Sequence, residues 1–344
     1  MYGQWLKRLV RWAIVGGTLF FVGRSLLAYW PEVRAIALTA TSYGWLALAG
    51  CITLVAHGWA GWVWHELLLL WGVQRNQWWA VRTYLVTNVA KYLPGNVWHF
   101  YGRVNRVRAA GGGLKQALAS VIAEPLVMAV GALGVAACAS AVGWLLGGDE
   151  VNFVQVGFID GWLLRWVLWG GWAIALGLLH PRWLNPILQR FSRLRWQRMA
   201  QAGESSPDTT GLPVAQKRLV NAAQGPSELQ LRRYPLRPLL GEMLFVCGRS
   251  LGFVATMMAL TSLRPTDFPV IFLAFSVAWL LGLIVPGAPG GIGVFEASAI
   301  ALLSGHFSTG IIVSAVACYR LTSTLAEVVA AAVVWPFGKR VRSR

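Results

Sequence analysis

The sequence predicts an all-α polytopic membrane protein, with about seven to eight transmembrane helices arranged in two halves. Composition is the first reason, because 56% of the 344 residues are hydrophobic and only 12% are charged. Soluble proteins carry about 25% charged residues. The second reason is that several continuous apolar runs reach the roughly 18 residues that indicate a transmembrane helix. Such runs do not match the alternating pattern of a β-barrel.

The net charge of +17 comes from Lys and Arg that are concentrated in a few loops. Loops of this kind face the cytoplasm under the positive-inside rule. No nucleic-acid recognition motif accompanies the charge, so we expect no nucleic-acid partner. The four cysteines form no C-x-x-C pair, and no catalytic motif is complete. We therefore expect no metal site, no cofactor and no enzymatic activity.

The first half, residues 1–180, is predicted to hold four spans. A basic, broken region separates the second span from the third. Its middle, 83–101, is too short and too interrupted to cross, and we predict a re-entrant hairpin that turns at Pro94-Gly95. The four spans are predicted at 10–30, which contains Arg24 near its outer end, 44–72, 116–146 and 162–180.

Residues 181–237 are predicted to be cytoplasmic because they are polar and strongly basic. The stretch 181–199 alternates apolar residues and arginines at helical spacing, which favours an amphipathic helix on the inner leaflet. The stretch 200–228 is rich in Gly, Ser and Pro and reads as a linker.

The second half, 238–344, is predicted to hold spans at 239–263, 268–285 and 310–336. A broken segment, 286–305, lies between the last two and includes a short helix over 294–303. Basic residues at both ends of the chain place both termini in the cytoplasm, which requires an even number of crossings. Eight crossings result if the short helix is counted.

Two Pro-Gly breaks are the features around which this chain is organised. The stretch 284–298 contains two prolines and four glycines between apolar runs, and these residues cannot maintain an α-helix. A shorter version, with Pro94-Gly95, lies at 90–97. Paired breaks in apolar surroundings, one in each half, are typical of a transporter's substrate site.

Ionisable residues inside apolar spans are costly, at roughly 2.5–3.5 kcal/mol each at the bilayer centre. Glu124 can form a cavity floor or pair with an arginine. Arg320 can bind a phosphate or form an internal Arg–Glu pair, and Glu327 can face the same side of the helix. Glu66 lies close to the inner end of its span, and its position there favours neither a functional nor a structural role.

The residues that flank the breaks also have two interpretations. Gly293 and Glu296 can form a helix N-terminal cap, or Glu296 can face a cationic partner beside amides that bind an anion. Lys91 and Arg103 can contribute to a binding site at the first break, or they can anchor the chain at the membrane interface.

We predict that Arg249 and Arg320 lie near the break at 286–293 and form one anion-accepting site. Glu296 and Glu327 would hold these arginines when no ligand is bound. The complete set of candidate substrate-binding residues is Lys91, Pro94, Gly95, Asn96, Glu124, Arg249, Gly290, Gly291, Gly293, Glu296, Arg320 and Glu327.

These motifs together resemble the membrane region of lysylphosphatidylglycerol synthases and related stand-alone flippase-like proteins. The resemblance rests on Lys91-Tyr92-Leu93-Pro94-Gly95-Asn96, on Glu124, on the stretch from Pro289 to Glu296 and on Arg320, and it covers roughly the second to seventh spans. It implies a multi-span inner-membrane protein that moves or handles an anionic or aminoacylated lipid. The synthases carry a catalytic domain after the last span. This chain ends at Arg344 without one, so we expect no synthase activity.

Three functional hypotheses follow. The first is a flippase or transporter of an anionic, aminoacylated or polyprenyl-phosphate lipid. The second is a membrane enzyme or accessory subunit that acts on lipid-linked phosphate in envelope biogenesis, with Glu124 or Glu296 as base. The third is a non-transporting scaffold. Membrane lipids are the expected partners, together with a second copy or an envelope-synthesis enzyme.

Overall fold

Helices account for all the regular secondary structure in the part of the chain described by this computed structural model, residues 39–92, 97–147, 161–186, 231, 233–285 and 293–336. We number nine α-helices of these ranges in chain order and leave the short helical stretch 181–186 unnumbered. They are α1 (Ala40–Leu70), α2 (Gln77–Asn88), α3 (Trp98–Ala109), α4 (Leu114–Gly147), α5 (Gly161–Leu178), α6 (Leu236–Met258), α7 (Asp267–Ile284), α8 (Val294–Leu303) and α9 (Thr309–Val334).

Six of these helices are long and apolar enough to cross a membrane, namely α1, α4, α5, α6, α7 and α9. The all-α membrane class is therefore confirmed, and each predicted span from the second to the seventh coincides with one of these helices to within a few residues. The short helix α8 has the bounds that the sequence predicts. The total of seven to eight crossings stays a prediction.

Several predicted features lie outside the described residues. They are the first span at 10–30, the turn residues Pro94, Gly95 and Asn96, the break residues Gly290 and Gly291, the linker at 200–228 and the basic C-terminal tail. Of the predicted amphipathic stretch 181–199, only residues 181–186 are described, and these are helical. The division into two halves and the position of each relative to a membrane also stay predictions.

The ends of three helices show why the chain turns where it does. Gly72 follows α1 with a φ of +75°, and Asn76 begins α2 by accepting a hydrogen bond from the Trp78 N–H at 2.8 Å. Gly293 precedes α8 with a φ of +86°. Glycine adopts these positive φ values without the steric cost that a Cβ would bring.

Close approaches at glycine bring α1, α2 and α6 together. A Cβ added to Gly61 of α1 would lie 2.8 Å from the Val81 backbone of α2, and one added to Gly241 of α6 would lie 2.7 Å from the Val63 side chain. Small residues allow helices to approach this closely in membrane proteins. The predicted two halves are therefore packed directly against each other through α1 and α6.

An aromatic cluster joins the helices of the second half. Phe253 of α6, Phe275 of α7, Phe295 of α8 and Tyr319 of α9 pack with ring centroids 5.4–6.3 Å apart. These separations are typical of favourable aromatic pairs. The cluster fixes the start of α8 against α9, which positions the charged residues described below.

Within the described residues, the predicted re-entrant stretch 83–101 covers the end of α2, a 3₁₀ turn over Val89–Tyr92 and the start of α3. Each α-helix has 12 residues, fewer than the roughly 20 that cross a bilayer. The two helices contact each other, since a Cβ on Gly102 would lie 3.0 Å from the Thr87 side chain. This packing is compatible with a hairpin, while the turn itself and its depth stay predictions.

Candidate functional site

The carboxylate of Glu327, on α9, is the centre of a buried polar network. Its Oε1 accepts a hydrogen bond from Lys91 Nζ at 2.7 Å and lies 3.0 Å from His57 Nε2, while its Oε2 accepts one from Asn88 Nδ2 at 3.3 Å. These partners come from α1, α2 and the 3₁₀ turn, so one carboxylate joins three separate segments to α9. Only 3% of Glu327 is exposed.

Asn88 extends the network to a second ion pair. Its Oδ1 accepts a hydrogen bond from Arg103 Nη2 at 3.4 Å, and Arg103 Nη1 donates to the Glu124 carboxylate. The Arg103 guanidinium also stacks over the Tyr84 ring, with its Cζ 3.9 Å from the centroid. Arg103 and Glu124 are both buried. Burial of such a pair requires good geometry and extra hydrogen bonds to offset desolvation, which Asn88 and Tyr84 help to provide.

Arg249, on α6, is the third cation of the network, and its described partners are all neutral. Its Nη1 donates to Ser323 Oγ at 2.8 Å and lies 3.0 Å from His57 Nε2. Its Cζ lies 4.9 Å from the Trp279 ring and 5.1 Å from the Tyr319 ring. Among the described residues, no carboxylate oxygen lies within ion-pair distance of this guanidinium. Arg249 as a whole is only 3% exposed.

A single ring nitrogen of His57 faces both Arg249 and Glu327. A neutral imidazole nitrogen either donates or accepts a hydrogen bond. Nε2 can therefore donate a hydrogen bond to Glu327, and Arg249 then keeps Ser323 as its hydrogen-bond partner. Alternatively, Nε2 can accept a hydrogen bond from Arg249, and Glu327 then keeps the hydrogen bonds from Lys91 and Asn88. The two tautomers stabilise two different arrangements of the network, and the hydrogen bond of His57 determines how firmly Arg249 is held.

The network carries one excess positive charge when His57 is neutral. Lys91, Arg103 and Arg249 contribute three positive charges, and Glu124 and Glu327 contribute two negative charges. Because an arginine cannot lose its proton in a protein, the excess charge persists at Arg249. Such a site is electrostatically suited to an anion. We call the set His57, Asn88, Lys91, Arg103, Glu124, Arg249, Ser323 and Glu327 the central network.

A second ion pair lies at the start of α8. Arg320 Nε donates to Glu296 Oε1 at 3.0 Å, and the Gly293 N–H donates to Glu296 Oε2 at 2.6 Å. Glu296 thus forms the N-terminal cap, which confirms the capping interpretation, and it also faces a cation. Anion binding by the amides at the break stays a prediction. Lys91 interacts electrostatically with Arg320 as well as with Arg249, which places the pair beside the central network.

One expectation about a charge pair is wrong, and another is confirmed. Glu327 was expected to hold an arginine, which it does not, whereas the internal Arg–Glu pair expected as an alternative for Arg320 is present. The structure pairs Glu327 with Lys91 and pairs Arg320 with Glu296. Arg320 and Glu327 are seven residues apart on one helix, but the 3₁₀ turn and the start of α8 approach α9 at different levels and provide the partners.

The interface-anchor interpretation of Arg103 is also wrong. Its side chain is 1% exposed and pairs with Glu124, which confirms the alternative that Glu124 is the partner of an arginine. The side chain of Lys91 is 20% exposed and is also paired inside the bundle. Because α3 packs on α4, Arg103 is directed into the protein.

Sequence reasoning missed several buried polar residues. His57, Asn88 and Ser323 belong to the central network, and Glu242 of α6 is 1% exposed. A histidine inside an apolar run was a usable signal for His57. Glu242 gave none, because it lies near the predicted start of its span, where a carboxylate usually faces the membrane surface.

No group of three or more His, Cys, Asp and Glu side chains that could hold a metal ion occurs in the described ranges. An open pocket of about 550 Å³ lies at the connection from α1 to α2 and is lined by His65, Leu69, Gln74, Arg75, Asn76 and Gln77. It includes no residue of the central network. Glu66, next to His65 and 3.9 Å from its ring, lies outside the network as well.

The fold and the site together define a multi-pass α-helical membrane protein with buried ionised side chains between its helices. Comparisons with protein-family models and with curated proteins found no match.

Proposed function

We propose that this protein is a lipid flippase or transporter of the inner membrane that handles a lipid with an anionic headgroup or a lipid-linked phosphate. Aminoacylated and polyprenyl-phosphate lipids fall within this chemistry. The proposal agrees with the resemblance of the two Pro-Gly motifs to the membrane region of lysylphosphatidylglycerol synthases and flippase-like proteins. It includes a multi-pass topology with both termini in the cytoplasm.

The observation that carries the proposal is the buried Arg249, whose described partners are neutral. An unpaired charge at membrane depth costs several kcal/mol. The Trp279 and Tyr319 rings offset part of that cost through cation–π interaction. A phosphate oxygen would supply the missing anion, and a guanidinium binds phosphate with two parallel hydrogen bonds.

The position of the charges relative to the two breaks supports the same function. Lys91 lies three residues before Pro94, and Glu296 lies three residues after Gly293. Irregular backbone at membrane depth is tolerated only where it is buried in protein or lines a water-filled cavity. Charged residues beside both breaks favour a polar, hydrated environment there.

The enzyme hypothesis requires a carboxylate that can reach a substrate. Glu124 is 4% exposed and paired with Arg103. Glu296 is held by Arg320 and by the Gly293 N–H. Both carboxylates are therefore engaged as ion-pair and capping groups, an arrangement that favours binding over general-base catalysis. A pure scaffold would have no use for the excess positive charge of the central network.

Headgroup-dependent lipid exchange tests the proposal. The purified full chain is reconstituted into vesicles that contain trace fluorescent lipids with identical acyl chains and either a phosphatidylglycerol or a phosphatidylcholine headgroup. Loss of fluorescence to an impermeant reductant reports the movement of lipid between leaflets. We expect faster exchange of the anionic lipid in protein vesicles than in empty ones. Equal rates for the two headgroups, or no rate above that of empty vesicles, would contradict the proposal.

A further inference from the structure

A buried carboxyl group without a hydrogen-bond partner lies next to the central network. Glu242 is 1% exposed, and both of its carboxyl oxygens lack a hydrogen-bond partner among the described residues. A buried ionised carboxylate in this state would carry the full cost of desolvation, whereas the neutral acid avoids most of that cost. The environment of Glu242 therefore favours the protonated form.

Helix packing produces this burial. A Cβ added to Gly131 of α4 would lie 3.1 Å from the Glu242 Cβ, so the backbone of α4 covers the base of the side chain. The neighbouring Gly241 packs against Val63 of α1, and the Gly241 carbonyl accepts a hydrogen bond from Trp59 Nε1 at 2.8 Å. The part of α6 that carries Glu242 is thus packed between α1 and α4.

The ionisable groups around Glu242 come from three other helices. Glu124 of α4, Arg103 of α3 and Tyr84 of α2 interact with it electrostatically. One turn further along α6, the Phe245 ring packs on Trp279 of α7. On α6 itself, Arg237 lies five residues before Glu242 and is exposed. Arg249 lies seven residues after Glu242 and is held by His57 of α1 and Ser323 of α9.

One guanidinium therefore serves two carboxyl groups, since Arg103 is bonded to Glu124 and also attracts Glu242. Both carboxyl groups cannot ionise at low cost beside a single cation, because like charges in a shared site raise the cost of the second ionisation. With Glu242 protonated, the network and Glu242 together carry one excess positive charge. With Glu242 ionised, the excess falls to zero.

We propose that Glu242 is a proton-binding site coupled to the lipid site, so that an anionic headgroup binds tightly only while Glu242 carries its proton. The coupling rests on the proposed function. By linkage, the proton and the headgroup then favour each other's binding to the same extent. Loss of the proton would remove the excess positive charge and release the lipid, which makes the protein a proton-responsive transporter of an anionic lipid.

The sign of the pH effect follows directly. Protonated Glu242 predominates at lower pH, so affinity for the anionic headgroup is high there and falls as the pH rises. Bound anionic lipid shifts deprotonation to higher pH. A zwitterionic headgroup adds no net charge and is expected to bind independently of pH.

Infrared spectroscopy of the purified full chain tests the proton directly and needs no lipid ligand. We expect a carboxylic acid C=O band at neutral pH that disappears in Glu242→Gln and persists in the matched control Glu66→Gln, because Glu66 lies outside the network. If Glu242→Gln does not fold, Glu242→Met takes its place. A spectrum unchanged by substitution of Glu242 would overturn the proposal.

Binding of short-chain phosphatidylglycerol and phosphatidylcholine across a pH series tests the coupling. Wild-type affinity for the anionic lipid should fall about tenfold or more from mildly acidic to alkaline pH, and Glu242→Gln should bind at the acidic-pH level throughout. A pH dependence that persists in Glu242→Gln would overturn the coupling. An infrared band that depends on Glu242, combined with no binding of either lipid, would instead refute the proposed function and leave only a buried neutral acid.

Discussion

An Arg103→Gln variant is expected to lose about 3–5 kcal/mol of unfolding free energy, because the substitution leaves the Glu124 carboxylate buried without its cation. Arg103 and Glu124 are both buried, and they pair directly between α3 and α4. The loss should appear as a lower thermal unfolding temperature of the purified protein in detergent.

The double variant Arg103→Gln with Glu124→Gln separates a lost charge pair from lost packing. We expect it to recover much of the stability, since it removes both charges and leaves two neutral side chains that can hydrogen-bond. Arg264→Gln is the matched surface control, with a side chain that is 78% exposed, and it should change stability by less than about 0.5 kcal/mol. Unchanged stability in Arg103→Gln would mean that the pair is not a structural element.

Arg249→Gln is expected to show the opposite pattern, with a stable fold and a large loss of function. Its described partners are neutral, so removal of its charge leaves no described carboxylate unpaired. Hydrogen bonds to charged groups are worth about 1.5–3 kcal/mol, which corresponds to roughly 10–100-fold in affinity. We expect exchange of the anionic lipid in vesicles to fall by that order, with thermal stability equal to or above that of the wild type.

Arg249→Lys refines this result. Lysine keeps the charge but lacks the planar fork that matches a phosphate, so lipid exchange should fall between that of the wild type and that of Arg249→Gln. Exchange at the wild-type rate in Arg249→Gln would show that this arginine is not part of a lipid site. A large loss of stability in the same variant would favour a structural role for Arg249 as the link between α6 and α9.

Much of the fold was predictable, because a helix that crosses a bilayer requires an apolar run of a certain length, and such runs are visible in the sequence. Apolar runs of the required length gave the six candidate spans that the structure describes, and Gly293 with Glu296 gave the start of α8. Local rules of helix capping and transfer free energy are sufficient for such features. They do not require knowledge of which helices are neighbours.

The pairing of charges was less predictable, because it depends on contacts between distant segments. Lys91 and Glu327 are 236 residues apart in the chain, yet they form the 2.7 Å contact at the centre of the network. The sequence indicated that both charges need partners, but not which partners. Glu242 is the clearest failure, because its burial depends on the close approach of α4 at Gly131, which no local pattern reveals.

Native mass spectrometry of the purified protein in an equimolar mixture of phosphatidylglycerol and phosphatidylcholine tests the central claim most directly. The claim is that the excess positive charge of the central network binds an anionic headgroup. Wild type and Arg264→Gln should retain the anionic lipid preferentially, and Arg249→Gln should lose that preference while remaining folded. Equal retention of the two lipids by the wild type, or an unchanged preference in Arg249→Gln, would contradict the claim.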